Sequence, residues 1–194
     1  MGLIAMKKLF TALIGLLIVA QIQIAAAAQL QFNYEVFVQN YGWMQSVGNG
    51  EAAGTTGKGL RMEALKINLT GGTIEYCVHV QNYGWQPWKS SGEVAGTSGK
   101  SLRLEAVRVR LTGDAANQFD IYYRTHVQNG GWLGWAKNGE PAGTTGAGLR
   151  MEALQIQIVP KGTAVNRGGQ AFYQAKPSGN SKKNDNPEPN IPMI

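Results

Sequence analysis

One stretch of sequence occurs three times, and this repetition constrains the fold more than any other feature of the chain. Val38-Gln39-Asn40-Tyr41-Gly42-Trp43 returns as Val80-Gln81-Asn82-Tyr83-Gly84-Trp85 and as Val127-Gln128-Asn129-Gly130-Gly131-Trp132. Each copy continues into Gly-Glu-x-Ala-Gly-Thr-Thr/Ser-Gly, beginning at Gly50, Gly92 and Gly139, and then into Leu-Arg-Met/Leu-Glu-Ala, beginning at Leu60, Leu102 and Leu149. From the Trp to the Glu of that last stretch is 20 residues every time, whereas the Trp-to-Trp distances are 42 and 47. The five extra residues therefore fall outside the block, between Leu111 and Val127, where Asp114 to Gln118 reads as a longer turn than Gly71-Gly72. A unit this small cannot bury its apolar face alone, but three can close around a pseudo-threefold axis and share a core.

Within a copy the apolar residues alternate, as half-buried strands require. Phe32, Tyr34, Val36 and Val38 share one face, as do Ile74, Tyr76, Val78 and Val80. Downstream, Leu102 and Leu104 alternate, but the next set is Val107, Val109 and Leu111, so the phase slips by one at Glu105-Ala106. The same slip follows Met62 and Met151. A period-2 pattern that changes phase implies a β-bulge or sharp corner, since otherwise one apolar set faces water. About four short strands per copy are predicted: before the Trp, through it, and on either side of the slip. The predicted class is all-β, a β-prism-like domain with three-fold pseudo-symmetry over residues 29–160, with a β-trefoil as the alternative; the repeats cover about 31–70, 73–112 and 119–159.

The two ends differ from the repeats. Met6-Lys7-Lys8, the largely apolar run from Leu9 to Ala20 and the small residues Ala25 to Ala28 have the three-part layout of a secretory signal peptide over 1–28. Its apolar core is short for a membrane span, which needs roughly 20 residues. No later segment is apolar enough to span, so the mature chain is expected to be secreted, extracellular and possible to retain at a cell surface. Residues 161–194 are polar and rich in Pro and Asn towards their end and read as a disordered tail, with Phe172-Tyr173 able to dock. These ends also carry the charge. The chain has a net charge of +6, but the repeats hold 11 basic residues against 10 acidic ones. A nearly neutral domain has no electrostatic footprint for nucleic acid. One cysteine excludes a disulfide framework, and two histidines leave little for a metal centre or a catalytic triad.

The repeated string, Val-Gln-Asn-x-Gly-Trp followed by Gly-Glu-x-Ala-Gly-Thr-Thr/Ser-Gly and Leu-Arg-Leu/Met-Glu-Ala, resembles the clostridial hydrophobic repeat with conserved tryptophan, the ChW family. The resemblance covers roughly residues 31–159. It implies a secreted or surface-associated protein of clostridia and related Gram-positive bacteria that acts in binding polysaccharide or cell surfaces. One departure matters: Ser46 stands where the other copies have a second tryptophan, Trp88 and Trp135.

The candidate ligand-binding residues follow from the repeat. Trp43, Trp85 and Trp132 recur in every copy and suit burial, since such a ring removes about 150–250 Å² from water. Trp88 and Trp135 are dispensable to the fold, as Ser46 shows, and suit stacking on a sugar or a partner chain. Glu51, Glu93 and Glu140, with Gln39, Asn40, Gln81, Asn82, Gln128 and Asn129, either hydrogen-bond ligand hydroxyls or brace their own loops. Arg61/Glu63, Arg103/Glu105 and Arg150/Glu152 read as structural salt bridges at the bulge. Gly96-Thr97-Ser98-Gly99-Lys100-Ser101 ends like a phosphate-binding loop, but Val94 replaces its first glycine and a strand follows instead of a helix. His79 and His126 align with Phe37, which marks a packing position, and Cys77 aligns with Glu35 and Arg124, which predicts a solvent-facing thiol. The expected function is non-catalytic, lectin-like binding of a polysaccharide, or of a cell-surface glycan or protein, with no metal and no cofactor. A structural or adhesive protein that contacts other proteins, and an enzyme acting on cell-wall glycan, are the rivals.

Overall fold

The computed structural model describes residues 30–175, so the expected export signal and the segment from 176 onward lie outside the described residues. The first repeat forms β1 (Gln31–Val38), β2 (Gly42–Trp43), β3 (Ala52–Gly54) and β4 (Met62–Thr70). The second forms β5 (Thr73–Val80), β6 (Gly84–Trp85), β7 (Lys89–Ser90), β8 (Val94–Gly96) and β9 (Leu104–Thr112). The five-residue insertion, expected as a turn, winds into a short helix, α1 (Gly113–Gln118), with Ala115 buried. The third repeat forms β10 (Phe119–Val127), β11 (Gly131–Trp132), β12 (Ala136–Lys137), β13 (Ala142–Thr145) and β14 (Met151–Pro160), and β15 (Phe172–Gln174) follows.

In each repeat two long strands pair antiparallel: β1 with β4, β5 with β9 and β10 with β14. The phase slip lies inside the second of these strands, not between two strands. Phe37 faces Ala64 but Val38 faces Met62, so Glu63 is the extra residue of a bulge; Glu105 and Glu152 take the same place. The bulge lets apolar residues on both sides of the slip, such as Leu104 and Val107, reach one core.

The short strand of the Ala-Gly-Thr stretch was not expected, and it decides the architecture. It leaves its own sheet and pairs with the preceding repeat: β8 on β4, β13 on β9 and, closing the ring, β3 on β14. Three sheets result, in the orders β2-β1-β4-β8, β15-β13-β9-β5-β6 and β11-β10-β14-β3. None closes into the barrel of a trefoil. The glycine of each stretch is obligatory. At Gly96 φ is +102°, and a Cβ would lie 2.5 Å from the Glu63 carbonyl oxygen and 3.0 Å from Ala64 Cα.

The sheets enclose one core to which every repeat contributes, for example Val36, Leu65, Val78, Val107, Ile121 and Leu154. Its polar members join the repeats. Tyr34, Tyr76 and Tyr123 each donate a hydroxyl hydrogen bond to the carbonyl of Glu51, Glu93 or Glu140 of the same repeat. The hydroxyls of Tyr34 and Tyr76 also accept the main-chain N–H of Ile156 and Ile67 in the neighbouring repeat, at 2.9 and 3.1 Å. Burial, and then the nearby Glu51 or Glu93 charge, pushes Tyr34 and Tyr76 up to about 12 against the opposing pull of those amides. Tyr123 is raised as well.

Two expectations are corrected. Cys77 is buried, not solvent-facing. It lies on the outer face of its sheet opposite Arg108, whose guanidinium reaches over the Trp85 ring, with Arg110 over Trp88 alongside. Burial pushes the thiol up to about 11, with Arg108 and Arg110 acting in the other direction. Residues 161–175, read as the start of a disordered tail, are ordered, and Phe172-Tyr173 dock as the sequence allowed. Residues 161–175 run as a strap along the third repeat, and β15 pairs parallel with β13.

Candidate functional site

The tryptophans ride on the outer faces of the sheets. Gly42, Gly84 and Gly131 take positive φ, as do Asn40, Asn82 and Asn129 with φ of 61–68°, and these tight turns fold each Trp back beside the strand it follows. The asparagines are therefore the turn residues of the motif, since Asn tolerates the left-handed region. Gln39, Gln81 and Gln128 donate their main-chain N–H to the carbonyls of Arg61, Arg103 and Arg150, at 3.0 Å each.

None of the five tryptophans belongs to the core, which departs from the burial expected of Trp43, Trp85 and Trp132. Each of these three rings meets the preceding aromatic position edge-on: Trp43 on Phe37 at 5.7 Å, Trp85 on His79 and Trp132 on His126 at 5.5 Å. The shared slot of Phe37, His79 and His126 is the packing position that the alignment predicted. The imidazoles also stand beside the bulge carboxylates, with Nδ1 3.0 Å from Glu105 and 3.1 Å from Glu152.

A cation covers one face of each indole. Lys66 lies over Trp43 at 5.6 Å, Arg108 over Trp85 at 4.4 Å and Arg110 over Trp88 at 4.2 Å. Arg124 serves both Trp132 and Trp135, at 4.9 and 4.8 Å. Burial holds the Arg124 pKa below the usual guanidinium value. Such contacts contribute about 0.5–1 kcal/mol each at exposed sites and hold the rings in place. Trp43 remains 38% exposed and Trp88 36% exposed.

The recurrent acids brace their own loops. Glu51 accepts the N–H of Gly48 at 2.6 Å, Glu93 that of Ser90 at 2.6 Å and Glu140 that of Lys137 at 3.0 Å. Glu63, Glu105 and Glu152 are buried and paired with Arg61, Arg103 and Arg150 at 2.7–2.8 Å. These bridges form at the bulge, as expected, and lie within a repeat instead of between copies. A link between repeats comes from the Ser101 N–H on Glu63, at 3.2 Å. Among the described residues, no group of three or more His, Cys, Asp or Glu side chains gathers as a metal ion would need.

The three sites are not equivalent, because the strap crosses the third. Trp135 donates its main-chain N–H to the Arg167 carbonyl at 2.7 Å, Gly134 to Gln170 at 3.0 Å and Gly143 to Ala171 at 2.9 Å. Arg167 also pairs with Glu140. A Cβ on Gly134 would run into the Gly169 backbone, and the other copies carry Gln45 and Pro87 there. The strap is anchored at its start by Asp120, a buried acid peculiar to the third repeat, which bonds Asn138, the Gly162 N–H, Lys137 and Lys161. Burial raises its pKa, but those four partners outweigh it and hold the carboxyl well below the usual carboxylate range.

Two clefts among the described residues lie elsewhere. One of about 210 Å³ is lined by Leu30, Phe32, Asn49, Phe119, Ile158 and Pro160, and another of about 290 Å³ runs along the turns at 71–73 and 113–119. Neither is lined by a tryptophan, and the aromatic ridges on the outer sheet faces lie apart from both. No described helix is long and apolar enough to cross a membrane. Sequence reasoning missed the cations on the rings, because their pairing with Trp depends on strand register. It also missed Tyr41 and Tyr83, exposed at 55% and 60%. Their replacement by Gly130 in the third copy, together with Ala147 in place of Lys58 and Lys100, was the signal that could have found them.

No curated protein and no solved structure matches the chain. The family model described as clostridial hydrophobic W matches three times, over residues 37–71, 79–113 and 126–160, each match beginning just before a Trp turn and running to the end of a bulged strand, and the chain belongs to that family.

Proposed function

We propose that the chain is a secreted, non-catalytic binding module that engages polysaccharide or another cell-surface polymer through the outward tryptophan faces of its first two repeats. The observation that carries this reading is the exposure of Trp43 and Trp88 on ridges whose geometry is held by a cation and by braced loops. A partly exposed indole held in place offers a stacking surface to a sugar ring and loses little conformational freedom on binding. Two such faces on one rigid frame favour a repeating ligand, because linked weak contacts raise avidity by 10²–10⁴ where geometry permits. The use of the acids supports a non-catalytic reading: Glu51 and Glu93 are engaged with their own turns, and Glu63, Glu105 and Glu152 are buried against arginines.

The test is binding to isolated cell-wall fractions and to a glycan array. Trp43→Ala and Trp88→Ala are each expected to weaken retention by about tenfold, which corresponds to about 1.4 kcal/mol. Trp135→Ala, beneath the strap, is expected to change it by less than about twofold. Capture of a surface protein without any glycan binding would transfer the function to the adhesive class, and release of reducing sugar from wall material would make the chain an enzyme.

A further inference from the structure

A second surface, separate from the tryptophan ridges, is formed where β1, β5 and β10 end. The three Gln-Asn turns meet the loops at 55–61, 97–103 and 146–150 here, each turn bonded to the Arg carbonyl of its own repeat. The loops interlock around the ring: Ser101 bonds Glu63, Gly59 lies against the Arg150 guanidinium and Gly148 against that of Arg103. Six loops thus share one end of the molecule.

The charge at this end is one-sided. Its acids are Glu63, Glu105 and Glu152, which are buried and neutralised by Arg61, Arg103 and Arg150. Lys58 and Lys100 have no acidic partner among the described residues. The two most exposed large aromatic side chains described, Tyr41 at 55% and Tyr83 at 60%, stand on the Gln-Asn turns of the same end. Lys58 donates to the Tyr41 hydroxyl at 3.1 Å, and its ammonium lies 5.2 Å from the ring centroid, so cation and ring are held as a pair. The second repeat carries the same residue types, Tyr83 and Lys100. The third has Gly130 and Ala147, and there the strap passes, with Ala175 donating its N–H to the Thr145 carbonyl at 2.9 Å.

We propose that this loop end binds an anionic polysaccharide, with sugar rings stacking on Tyr41 and Tyr83 and acid groups taken by Lys58 and Lys100. Two uncompensated lysines on separate turns are too few for the dense phosphate run of a nucleic acid, whose binding rests on many such contacts. They suit a polymer whose acid groups are spaced by uncharged, hydroxyl-bearing rings. The turns are exposed, so substitutions there leave the core intact.

The experiment measures retention of the full chain on immobilised polygalacturonate, its fully methyl-esterified form and poly(glycerol phosphate), across a salt series. Binding to polygalacturonate is expected to fall at least tenfold in Lys58→Ala/Lys100→Ala and, separately, in Tyr41→Ala/Tyr83→Ala, and the salt dependence is expected to flatten only in the lysine pair. A preference for poly(glycerol phosphate), which has no sugar ring to stack on the tyrosines, would overturn the proposal in favour of simple anion binding by the lysines. The inference is overturned if the esterified polymer binds equally well, if neither acidic polymer binds, or if either double variant retains binding within twofold. Loss in Trp88→Ala with both loop-end variants unaffected would also overturn it while leaving the tryptophan ridges as the binding surface. Failure of the ridge variants alone leaves this inference standing, so the two proposals fail separately.

Discussion

At the scale of single residues, the motif divides into positions chosen for backbone geometry and positions chosen for surface. The Ala-Gly-Thr glycine belongs to the first kind. Gly96→Ala would place a methyl against the Glu63 carbonyl at a φ of +102°, combining a clash with left-handed strain. The expected loss is about 2–4 kcal/mol, read as a shift in the urea midpoint. Gly57 also has positive φ, +70°, but open space around it, so Gly57→Ala is expected to cost only about 1 kcal/mol. Equal losses would show that strain alone, without the clash, governs both sites. The Trp positions are of the second kind: their rings rest on Phe37, His79 and His126 and under cations, outside the core.

At the scale of elements, the strap is where the threefold pattern is broken. Gly134 is the accommodation that admits it, and Asp120 is the anchor at its start. Gly134→Ala is expected to dislodge residues 161–175, so that proteolysis within that segment accelerates and the emission of Trp135 changes, while the midpoint of global unfolding moves little. Unchanged cleavage would show that the strap adapts to a Cβ at this position. The phase slip was legible in the sequence, because it recurs at the same place in three copies, but only the ladder showed it to be a bulge within one strand and not a corner between two. The donated strand was not legible. Ala-Ala-Gly and Val-Ala-Gly carry no strong β-propensity, and their pairing partners lie in another repeat.

At the scale of the whole molecule, cyclic donation means that no repeat is complete without its neighbour. The tyrosine hydroxyls bond across these seams, and their ionisation should loosen the ring. With Tyr34 and Tyr76 raised to about 12 from an ordinary value near 10, their contribution to stability is fully present below about pH 10 and is lost as pH rises towards 12. Unfolding followed by near-ultraviolet circular dichroism is therefore expected to become progressively easier across that window. Tyr76→Phe should lose about 1–2 kcal/mol at neutral pH, because the Ile67 N–H and the Glu93 carbonyl lose a partner. A flat response between pH 10 and 12 would show that the hydroxyls are solvated before the ring opens.

The sequence by itself determined the all-β class, the three repeats, the phase slip beside Glu63, Glu105 and Glu152, and the near neutrality of the repeats, because periodicity and composition act locally and recur. Only the tertiary structure decided which repeat each short strand joins, which cation lies on which tryptophan, why Cys77 is buried, and that the third face is covered by the chain's own strap. These depend on contacts between residues far apart in sequence, whose partners are set by register and closure instead of by local pattern. The repetition thus specified three copies of one unit, and packing made them unequal.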